Sequence, residues 1–271
     1  MSNEFSVLMA VYYGDKPEWL NEALKSIEKQ TLLPSEVILV QDGNIDNDLL
    51  EIINHYKSRF TIKHIILNEN RGLSIALNKG LKSCQYDLIA RVDSDDINSL
   101  DRFEIQINNM LENKHISALG TWISEFINDP NEKVSIRKVP LLPKEILQFS
   151  KYRSPMNHPS VVFRKKDILE VGGYNENLIN RQDHDLWVKL IQNNKVITNV
   201  SSVLVNARIS KDFYKRRMGF SQFKIDYKLS KSFLESGYIK KYEYYLIIIL
   251  KLIFRITPKF IATLYYKIFF R

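Results

Sequence analysis

The chain has 271 residues, a length that suits one large domain with an appendage. Hydrophobic residues make up 45% of it and charged residues 26%, and these proportions exclude a disordered, a collagenous or a multi-span membrane protein. The lone cysteine, Cys84, cannot form an intrachain disulfide or a multi-cysteine metal site, so a reduced, cytosolic setting is expected.

Positive charge is concentrated at the C-terminal end of the chain. The net charge of the chain is +8. Residues 211–271 contain fourteen Lys and Arg but only four Asp and Glu, so the residues before them are nearly neutral. A uniformly basic chain would indicate nucleic acid as a partner, whereas a basic excess confined to one end favours contact with an anionic surface.

Strand-like and helix-like segments alternate through the first hundred residues. Near-continuous apolar runs predict strands, and apolar residues at helical spacing predict helices. The predicted strands cover residues 5–13, 36–41, 62–67 and 87–92, and the predicted helices cover about 16–30, 46–58 and 73–83. Asp15 and Glu18 have the spacing of a capping box for the first helix. The alternation predicts an α/β fold with a mostly parallel central sheet flanked by helices.

The alternation loosens beyond Asp101. Helices are predicted near 101–112, 165–171 and 182–194, with strands near 116–127, 134–139 and 160–164. This half of the chain is expected to cover a site formed by the first half. The predicted organisation is one domain over residues 1–210 and a helical extension over residues 211–271.

Three acidic residues follow the strand at 87–92. Asp93, Asp95 and Asp96 fall at the carboxyl end of a buried strand, which is where open α/β sheets bind ligands. Carboxylates two residues apart in extended chain face the same side, and oxygen ligands suit Mg²⁺ or Mn²⁺ that bridges substrate phosphates. A helix cap or a solvated loop is the alternative explanation.

Two further segments meet the same edge of the predicted sheet. Asp42 closes the second strand and could contact a nucleobase or ribose, or it could be an ordinary turn residue. Arg71 lies in the glycine-containing loop before the next helix, where it could meet a phosphate or be a surface arginine. Dinucleotide-binding and Walker glycine motifs are absent from the sequence.

Asp183 and His158 are candidates from the second half of the chain. Asp183 shares the apolar face of its helix with Leu186 and Trp187, whereas Asp185 points away from that face. An inward carboxylate at a helix start could be a general base or only a helix cap. His158 precedes a strand that could reach the site, although a loop histidine is the commoner case.

Seven short motifs follow one another along the chain. They are Val7–Tyr13, Val40-Gln41-Asp42-Gly43, Asn70–Gly80, Arg91-Val92-Asp93-Ser94-Asp95-Asp96, His158-Pro159-Ser160-Val161, Val171-Gly172-Gly173-Tyr174 and Gln182-Asp183-His184-Asp185-Leu186-Trp187. Taken together, they resemble the family 2 inverting glycosyltransferases with the GT-A fold, and the resemblance covers about residues 5–210. Within that family, the resemblance is strongest to bacterial O-antigen and exopolysaccharide transferases of the amylovoran type.

The resemblance implies a role for each matching residue. Asp42 would contact the uracil of a UDP-sugar, Asp93 the ribose or a metal ion, and Asp95 the metal ion, Mn²⁺ or Mg²⁺. Asp183 would be the base that takes the proton from the acceptor hydroxyl. The Asn70–Gly80 motif adds Asn78 to the expected nucleotide-sugar-binding residues, and His158 is a further candidate metal ligand. Arg71 lies at a variable position of that motif and receives no role from the resemblance, but its place in the loop keeps it among the nucleotide-sugar-binding candidates. Gln41 and Gln182 replace acidic residues that are usual in the family.

The implied reaction is the transfer of a hexose from a UDP-sugar to an undecaprenyl-diphosphate-linked saccharide, with inversion to a β-glycoside, in O-antigen synthesis. The expected location is peripheral, on the cytoplasmic face of a bacterial inner membrane. Two alternatives stay open: a phosphohydrolase that uses Asp93 and Asp95 as nucleophile and acid, and a non-catalytic nucleotide-sugar-binding module.

The C-terminal tail is basic and aromatic. Its longest apolar run, Tyr244 to Leu250, is too short to span a membrane, which takes about 20 residues. Two short amphipathic helices that lie in the membrane interface are predicted, with Lys251 and Arg255 one turn apart on the first of them and Pro258 between the two. The alternative is a tail that packs back on the domain.

Overall fold

The computed structural model describes residues 3–210 and 218–256, and within these residues nine strands form one sheet with helices on both faces. The strands are β1 (Ser6–Tyr12), β2 (Glu36–Asp42), β3 (Ile62–Leu67), β4 (Leu88–Arg91), β5 (Ile97–Asn98), β6 (Ile116–Phe126), β7 (Lys133–Arg137), β8 (Val162–Arg164) and β9 (Val196–Arg208). The helices are α1 (Pro17–Glu28), α2 (Asn47–Lys57), α3 (Leu73–Ser83), α4 (Arg102–Glu112), α5 (Pro143–Ser150), α6 (Lys165–Glu170), α7 (Gln182–Gln192), α8 (Phe220–Glu235) and α9 (Lys241–Ile256).

The sheet is parallel in its first half and mixed as a whole. Its strand order is β3-β2-β1-β4-β8-β6-β9-β5, with β7 paired to β6. The first four strands are parallel, as predicted. The second half of the chain does not continue the βα crossovers: β8 enters antiparallel to β4 and β6, and β5 and β7 are also antiparallel to their neighbours. Among the described strands of that half, only β6 and β9 pair in parallel.

The central strands are apolar on both sides because each side is covered by helices. Along β1, Val7 and Met9 pack in the core beneath α1, α2 and α4, while Leu8 faces the core beneath α3 and α7. Helix α3 lies close to the sheet at Gly80, where an added Cβ would be 2.3 Å from a methyl carbon of Leu8. The near-continuous apolar strands and the periodic helices were therefore predictable.

Three described elements are not among those predicted from the sequence: β5, α5 and the 13-residue strand β9. Strand β9 contains the polar residues Asn199, Ser201 and Ser202 near its middle, and its pairing with β6 shifts register near Thr121 and Trp122. A strand interrupted in this way shows no simple alternation. Its last residue, Arg208, reaches the carboxylates that follow β4.

The described part of the C-terminal extension packs back on the domain. Val188 of α7 is buried in one cluster with Leu229 and Phe233 of α8 and with Tyr244 and Ile247 of α9. None of the helices over residues 3–210 and 218–256 combines the length and hydropathy needed to cross a bilayer. The second helix predicted for the tail, beyond Pro258, lies outside the described residues, and the boundary at residue 210 stays a prediction.

Lys251 and Arg255 lie one turn apart on α9, as predicted. Both point to the buried carboxylate of Asp226 in α8, so they do not form the outer face of the helix. Helix α9 instead exposes an apolar stripe at helical spacing. This stripe, the outer face of α9, consists of Tyr242, Tyr245, Leu246, Ile249, Leu250 and Ile253.

Candidate active site

Three carboxylates come together directly after β4. Asp93, Asp95 and Asp96 each offer an oxygen atom, and these atoms lie within 4.8 Å of one another. Asp96 is buried, whereas Asp93 and Asp95 are partly exposed. The cluster lies at the carboxyl end of a parallel strand, as predicted, and an all-oxygen donor set of this kind can hold a divalent cation.

Burial and nearby negative charge raise the pKa of two of these carboxylates, Asp95 and Asp96. Burial, together with the charges of Asp93 and Asp15, raises the pKa of Asp95 to about 7. Burial, with Asp95 and Asp93 beside it, also raises the pKa of Asp96 well above its usual value. Protons therefore remain on the cation-free cluster near neutral pH, and a bound cation would displace them. This electrostatic frustration fits a site built for a divalent ion.

Buried arginines hold the acidic cluster in place. The Arg91 guanidinium, itself buried at the end of β4, forms an ion pair with Asp93. Arg208 donates its backbone N–H to Asp96 Oδ1 at 2.8 Å, and its Nε to the carbonyl oxygen of Asp95 at 3.2 Å. Arg102 donates Nη2 to the carbonyl oxygen of Arg91 at 2.8 Å. These contacts fix the backbone of the loop that presents the carboxylates.

Asp15 belongs to this site and is not a helix cap. Lys16 takes the cap position of α1, so the predicted capping box does not form. Asp15 Oδ2 instead accepts hydrogen bonds from the backbone N–H of Tyr12 at 3.1 Å and from Ser94 Oγ at 2.9 Å. Burial raises the pKa of Asp15 to about 6. Asp15 thereby ties the loop after β1 to the carboxylate loop after β4.

Asp42 anchors the loop that carries Arg71. The buried Asp42 carboxylate accepts the backbone N–H of Arg71 on Oδ1 and that of Gly72 on Oδ2, both at 2.8 Å. A carboxylate has about four acceptor positions, so two remain for a ligand. The side chain of Arg71 is exposed beside this loop. The structure brings both predicted residues to the same sheet edge.

The assignment of Asn78 to the nucleotide sugar is not supported by its contacts. Asn78 Nδ2 donates to the carbonyl oxygen of Tyr174 at 2.8 Å and to Glu176 Oε1 at 2.9 Å, and Asn78 Oδ1 accepts the backbone N–H of Tyr174 at 2.9 Å. An added Cβ on Gly173, whose φ is +70°, would lie 2.7 Å from Asn78 Oδ1. Because these hydrogen bonds use both the oxygen and the nitrogen of the amide, Asn78 connects the segment 173–176 to α3.

His158 lies outside the group of carboxylate ligand atoms. Among the described residues that group contains Asp93, Asp95 and Asp96 alone. The Nε2 atom of His158 lies 2.9 Å from the hydroxyl of Tyr174. Burial, assisted by the charge of Arg91, lowers the pKa of His158 to about 3, so the ring is neutral at pH 7. These contacts do not support His158 as a metal ligand.

Asp183 is a half-buried carboxylate in the first turn of α7. Arg181, not Asp183, takes the cap position, and Asp183 Oδ2 accepts a hydrogen bond from Ser154 Oγ at 2.9 Å. Burial acts to raise the pKa of Asp183, but the neighbouring His158 and His184 and the Ser154 hydroxyl more than offset it. The pKa lies below its usual value, so Asp183 is ionised at neutral pH.

His158 and Tyr174 are influenced by both acidic centres. The charges of Asp93 and Asp183 both act to raise the pKa of His158 and the pKa of Tyr174. Asp185 is directed elsewhere, since it pairs with Lys189 at 2.9 Å within α7. One acidic cluster and one separate ionised carboxylate therefore both act on His158 and Tyr174, and this arrangement can bind a cation and accept a proton at different places.

Comparison with models of protein families decides the identity. Glycosyl transferase family 2 matches residues 6–173, which is more than half of the chain. The chain belongs to glycosyl transferase family 2. The match contains the Asp93–Asp96 cluster and Asp42, and it ends before Asp183. This glycosyltransferase has the GT-A fold that the sequence motifs implied.

Two curated relatives cover nearly the whole transferase. A UDP-Gal:alpha-D-GlcNAc-diphosphoundecaprenol beta-1,3-galactosyltransferase of Escherichia coli is 41% identical over 265 residues, which is 97% of this chain and 95% of the relative. The amylovoran biosynthesis glycosyltransferase AmsE of Erwinia amylovora is 33% identical over 246 residues, or 90% of this chain and 91% of the relative. The resemblance to amylovoran-type transferases is confirmed.

Solved structures support the fold. TarS 1–349 of Staphylococcus aureus, in complex with UDP-GlcNAc, aligns with a TM-score of 0.67 at 19% identity over 92% of this chain and 71% of TarS. A mannosyltransferase of Pyrobaculum calidifontis, in complex with GDP-Man and Mn²⁺, aligns with a TM-score of 0.65 at 14% identity over 90% of this chain and 67% of that one. At these identities the likeness establishes the shared GT-A architecture.

Proposed function

We propose that this family 2 transferase moves a hexose from a UDP-sugar to an undecaprenyl-diphosphate-linked saccharide and forms a β-glycoside in O-antigen synthesis. The observation that carries the proposal is the presence of two acidic sites, the Asp93–Asp96 cluster and the separate, ionised Asp183. The name of the relative from Escherichia coli makes UDP-galactose and a GlcNAc-diphosphate lipid the first donor and acceptor to test.

The carboxylate cluster would hold Mn²⁺ or Mg²⁺ through Asp95, with Asp93 as a second ligand or as a ribose contact. A cation held there supplies positive charge that stabilises the diphosphate leaving group. Asp42 would use its remaining acceptor positions for the uracil, and the exposed Arg71 would approach a phosphate.

Asp183 takes the role of base in a single displacement. Its carboxylate accepts the proton of the acceptor hydroxyl while that oxygen forms a bond to the anomeric carbon. The bond from the anomeric carbon to the diphosphate oxygen breaks, and UDP leaves with the electron pair. Attack from the face opposite UDP converts an α-linked donor into a β-linked product, and no covalent intermediate is required. The Ser154 hydroxyl orients the carboxylate.

The extension supports a peripheral location at an anionic membrane. The outer face of α9 exposes aliphatic and tyrosine side chains at helical spacing. Beyond it the sequence carries Lys259, Lys267 and Arg271 among aromatic residues. An apolar stripe beside basic residues suits a helix that lies in the headgroup region, where a lipid-linked acceptor would also be found.

One assay separates the proposal from its alternatives. Purified protein is mixed with Mn²⁺, each of several UDP-sugars and a GlcNAc-diphosphate lipid, and the products are separated and their anomeric configuration is determined. A β-linked disaccharide lipid with stoichiometric UDP supports the proposal. Phosphate release without sugar transfer would indicate a phosphohydrolase, and tight UDP-sugar binding without any product would indicate a binding module. An α-linked product would contradict the inverting mechanism.

A further inference from the structure

One carboxylate of the C-terminal extension is surrounded by three cations. Asp226 is buried in α8, and its Oδ1 accepts a hydrogen bond from Arg181 Nε at 3.2 Å. Its Oδ2 accepts two hydrogen bonds from Arg255, from Nε at 3.0 Å and from Nη2 at 2.6 Å. Lys251 Nζ lies 3.7 Å from Oδ1. Asp226 thus joins α8 and α9 to a residue of the catalytic domain.

Arg181 is the residue from which the helix of Asp183 begins. Its φ of 68° and ψ of 13° are left-handed, a conformation that costs a non-glycine residue about 1–2 kcal/mol. Such a conformation persists only where surrounding contacts hold it. The carbonyl oxygen of Arg181 accepts the N–H of Asp185 at 3.0 Å, which closes the first turn of α7 around Asp183.

The extension also supports α7 beyond its first residue. His184, next to Asp183, donates Nε2–H to the carbonyl oxygen of Ser150 at 2.6 Å, and its ring lies 5.2 Å from that of Phe233 in α8. One turn later, Val188 is buried among residues of α8 and α9. One side of α7 therefore rests on the extension, while the Asp183 carboxylate points to Ser154.

We infer that Asp226 is a positioning residue for catalysis, which acts through Arg181 to hold the first turn of α7 and with it the Asp183 carboxylate. The inference rests on the proposed role of Asp183 as the base. It assigns to the C-terminal extension a part in the chemistry beyond any contact with lipid. A displacement of a reacting group by about 1 Å is enough to lower turnover by about 100-fold.

The test compares Asp226→Asn with the matched control Glu235→Gln, which removes an exposed carboxylate of the same helix that pairs with Lys231. We expect Asp226→Asn to lower kcat by about 10- to 100-fold, with the KM for the UDP-sugar and the affinity for UDP unchanged within about threefold. Glu235→Gln should keep wild-type kcat. All rates are measured well below the melting temperature of each variant, so that a loss of stability alone does not lower them.

A double-mutant cycle with Arg181→Gln identifies the route of the effect. If Asp226 acts through Arg181, the double variant should be no slower than the slower single variant, because each single change already breaks the link. Arg181→Lys, which keeps the charge, should restore part of the turnover. If Asp226→Asn does not fold, Arg181→Gln and Arg181→Lys carry the test, since they leave Asp226 paired with Arg255.

The outcomes separate this inference from the proposed function. Asp183→Asn is measured in the same assay. If Asp183→Asn loses turnover but Asp226→Asn keeps the wild-type kcat, the positioning role of Asp226 is wrong and the proposed function stands. The positioning role is also wrong if the fold-losses of kcat in the Asp226→Asn and Arg181→Gln variants multiply in the double variant. Wild-type kcat in Asp183→Asn would instead overturn the proposed base.

Discussion

Two isoleucines of α9, two residues apart, make a matched pair for testing how the extension is oriented. Ile247 is 1% exposed and packs against Val188 and Phe233, whereas Ile249 is 55% exposed on the outer face of α9. Ile247→Ala should destabilise the fold and leave the outer face intact. Ile249→Ala should leave stability unchanged and weaken binding to anionic vesicles.

The magnitudes follow from the carbons removed. Truncation of Ile247 loses about 2.5 kcal/mol of apolar burial, and with the cavity that remains the cost is about 2–5 kcal/mol. For a chain of this size the melting temperature should fall by about 4–10 °C. Ile249→Ala removes the same carbons from the surface that we propose to meet lipid, so vesicle affinity should fall by about 1–2 kcal/mol, or about 5- to 30-fold.

Thermal denaturation and vesicle sedimentation at low salt give the two readouts for both variants. An equal loss of melting temperature in Ile247→Ala and Ile249→Ala would refute the orientation of α9. Unchanged sedimentation of Ile249→Ala, or failure of the full-length protein to bind anionic vesicles at all, would refute the membrane contact.

Three further predictions concern the site. Asp95→Ala and treatment with EDTA should each lower transfer by at least about 100-fold in folded protein, because the leaving diphosphate loses its counter-charge, and full activity in EDTA would contradict a metal-dependent step. Because the folded-state pKa values of Asp15 and Asp95, about 6 and about 7, lie above the ordinary value of 3.8, the cation-free protein should lose stability as pH rises from about 4 to about 7. Saturating Mn²⁺ should then raise the melting temperature more at pH 8 than at pH 5, and an increase independent of pH would refute the coupling. Asn78→Ala leaves the backbone N–H and C=O of Tyr174 unpaired, so it should lower the free energy of unfolding by about 1–3 kcal/mol and keep the affinity for UDP within about threefold of wild type. Weaker UDP binding at unchanged stability would instead support Asn78 as a residue that contacts the nucleotide sugar.

The sequence indicated where the carboxylates would gather, because that depends on local signals. Asp93-Ser94-Asp95-Asp96 follow a buried apolar strand, and Asp42 ends a second strand that runs parallel to it in the same sheet, with β1 between the two. The carboxyl ends of such strands lie at one sheet edge. The same reasoning could have found Asp15, which follows the end of β1. Its spacing to Glu18 matched a capping box, and that local pattern concealed the position of Asp15 at the sheet edge.

Contacts between residues far apart in sequence were not predictable in this way. Arg208 reaches Asp96 across 112 positions, at the end of a strand with irregular register. Lys251 and Arg255 counted as surface charge because their partner, Asp226, is an ordinary helix residue in the sequence. Charge counting measures the excess of one sign over a segment, and it does not show which charges the fold buries together.

The most direct test of the account is the turnover of Asp183→Asn. The asparagine is nearly isosteric and can still accept the Ser154 hydrogen bond, so the fold and the donor site should be preserved. Without a base, kcat should fall by about 100- to 10,000-fold, while calorimetric affinities for UDP and Mn²⁺ stay within about twofold of wild type. A kcat close to that of the wild type would contradict the assignment of Asp183 as the base.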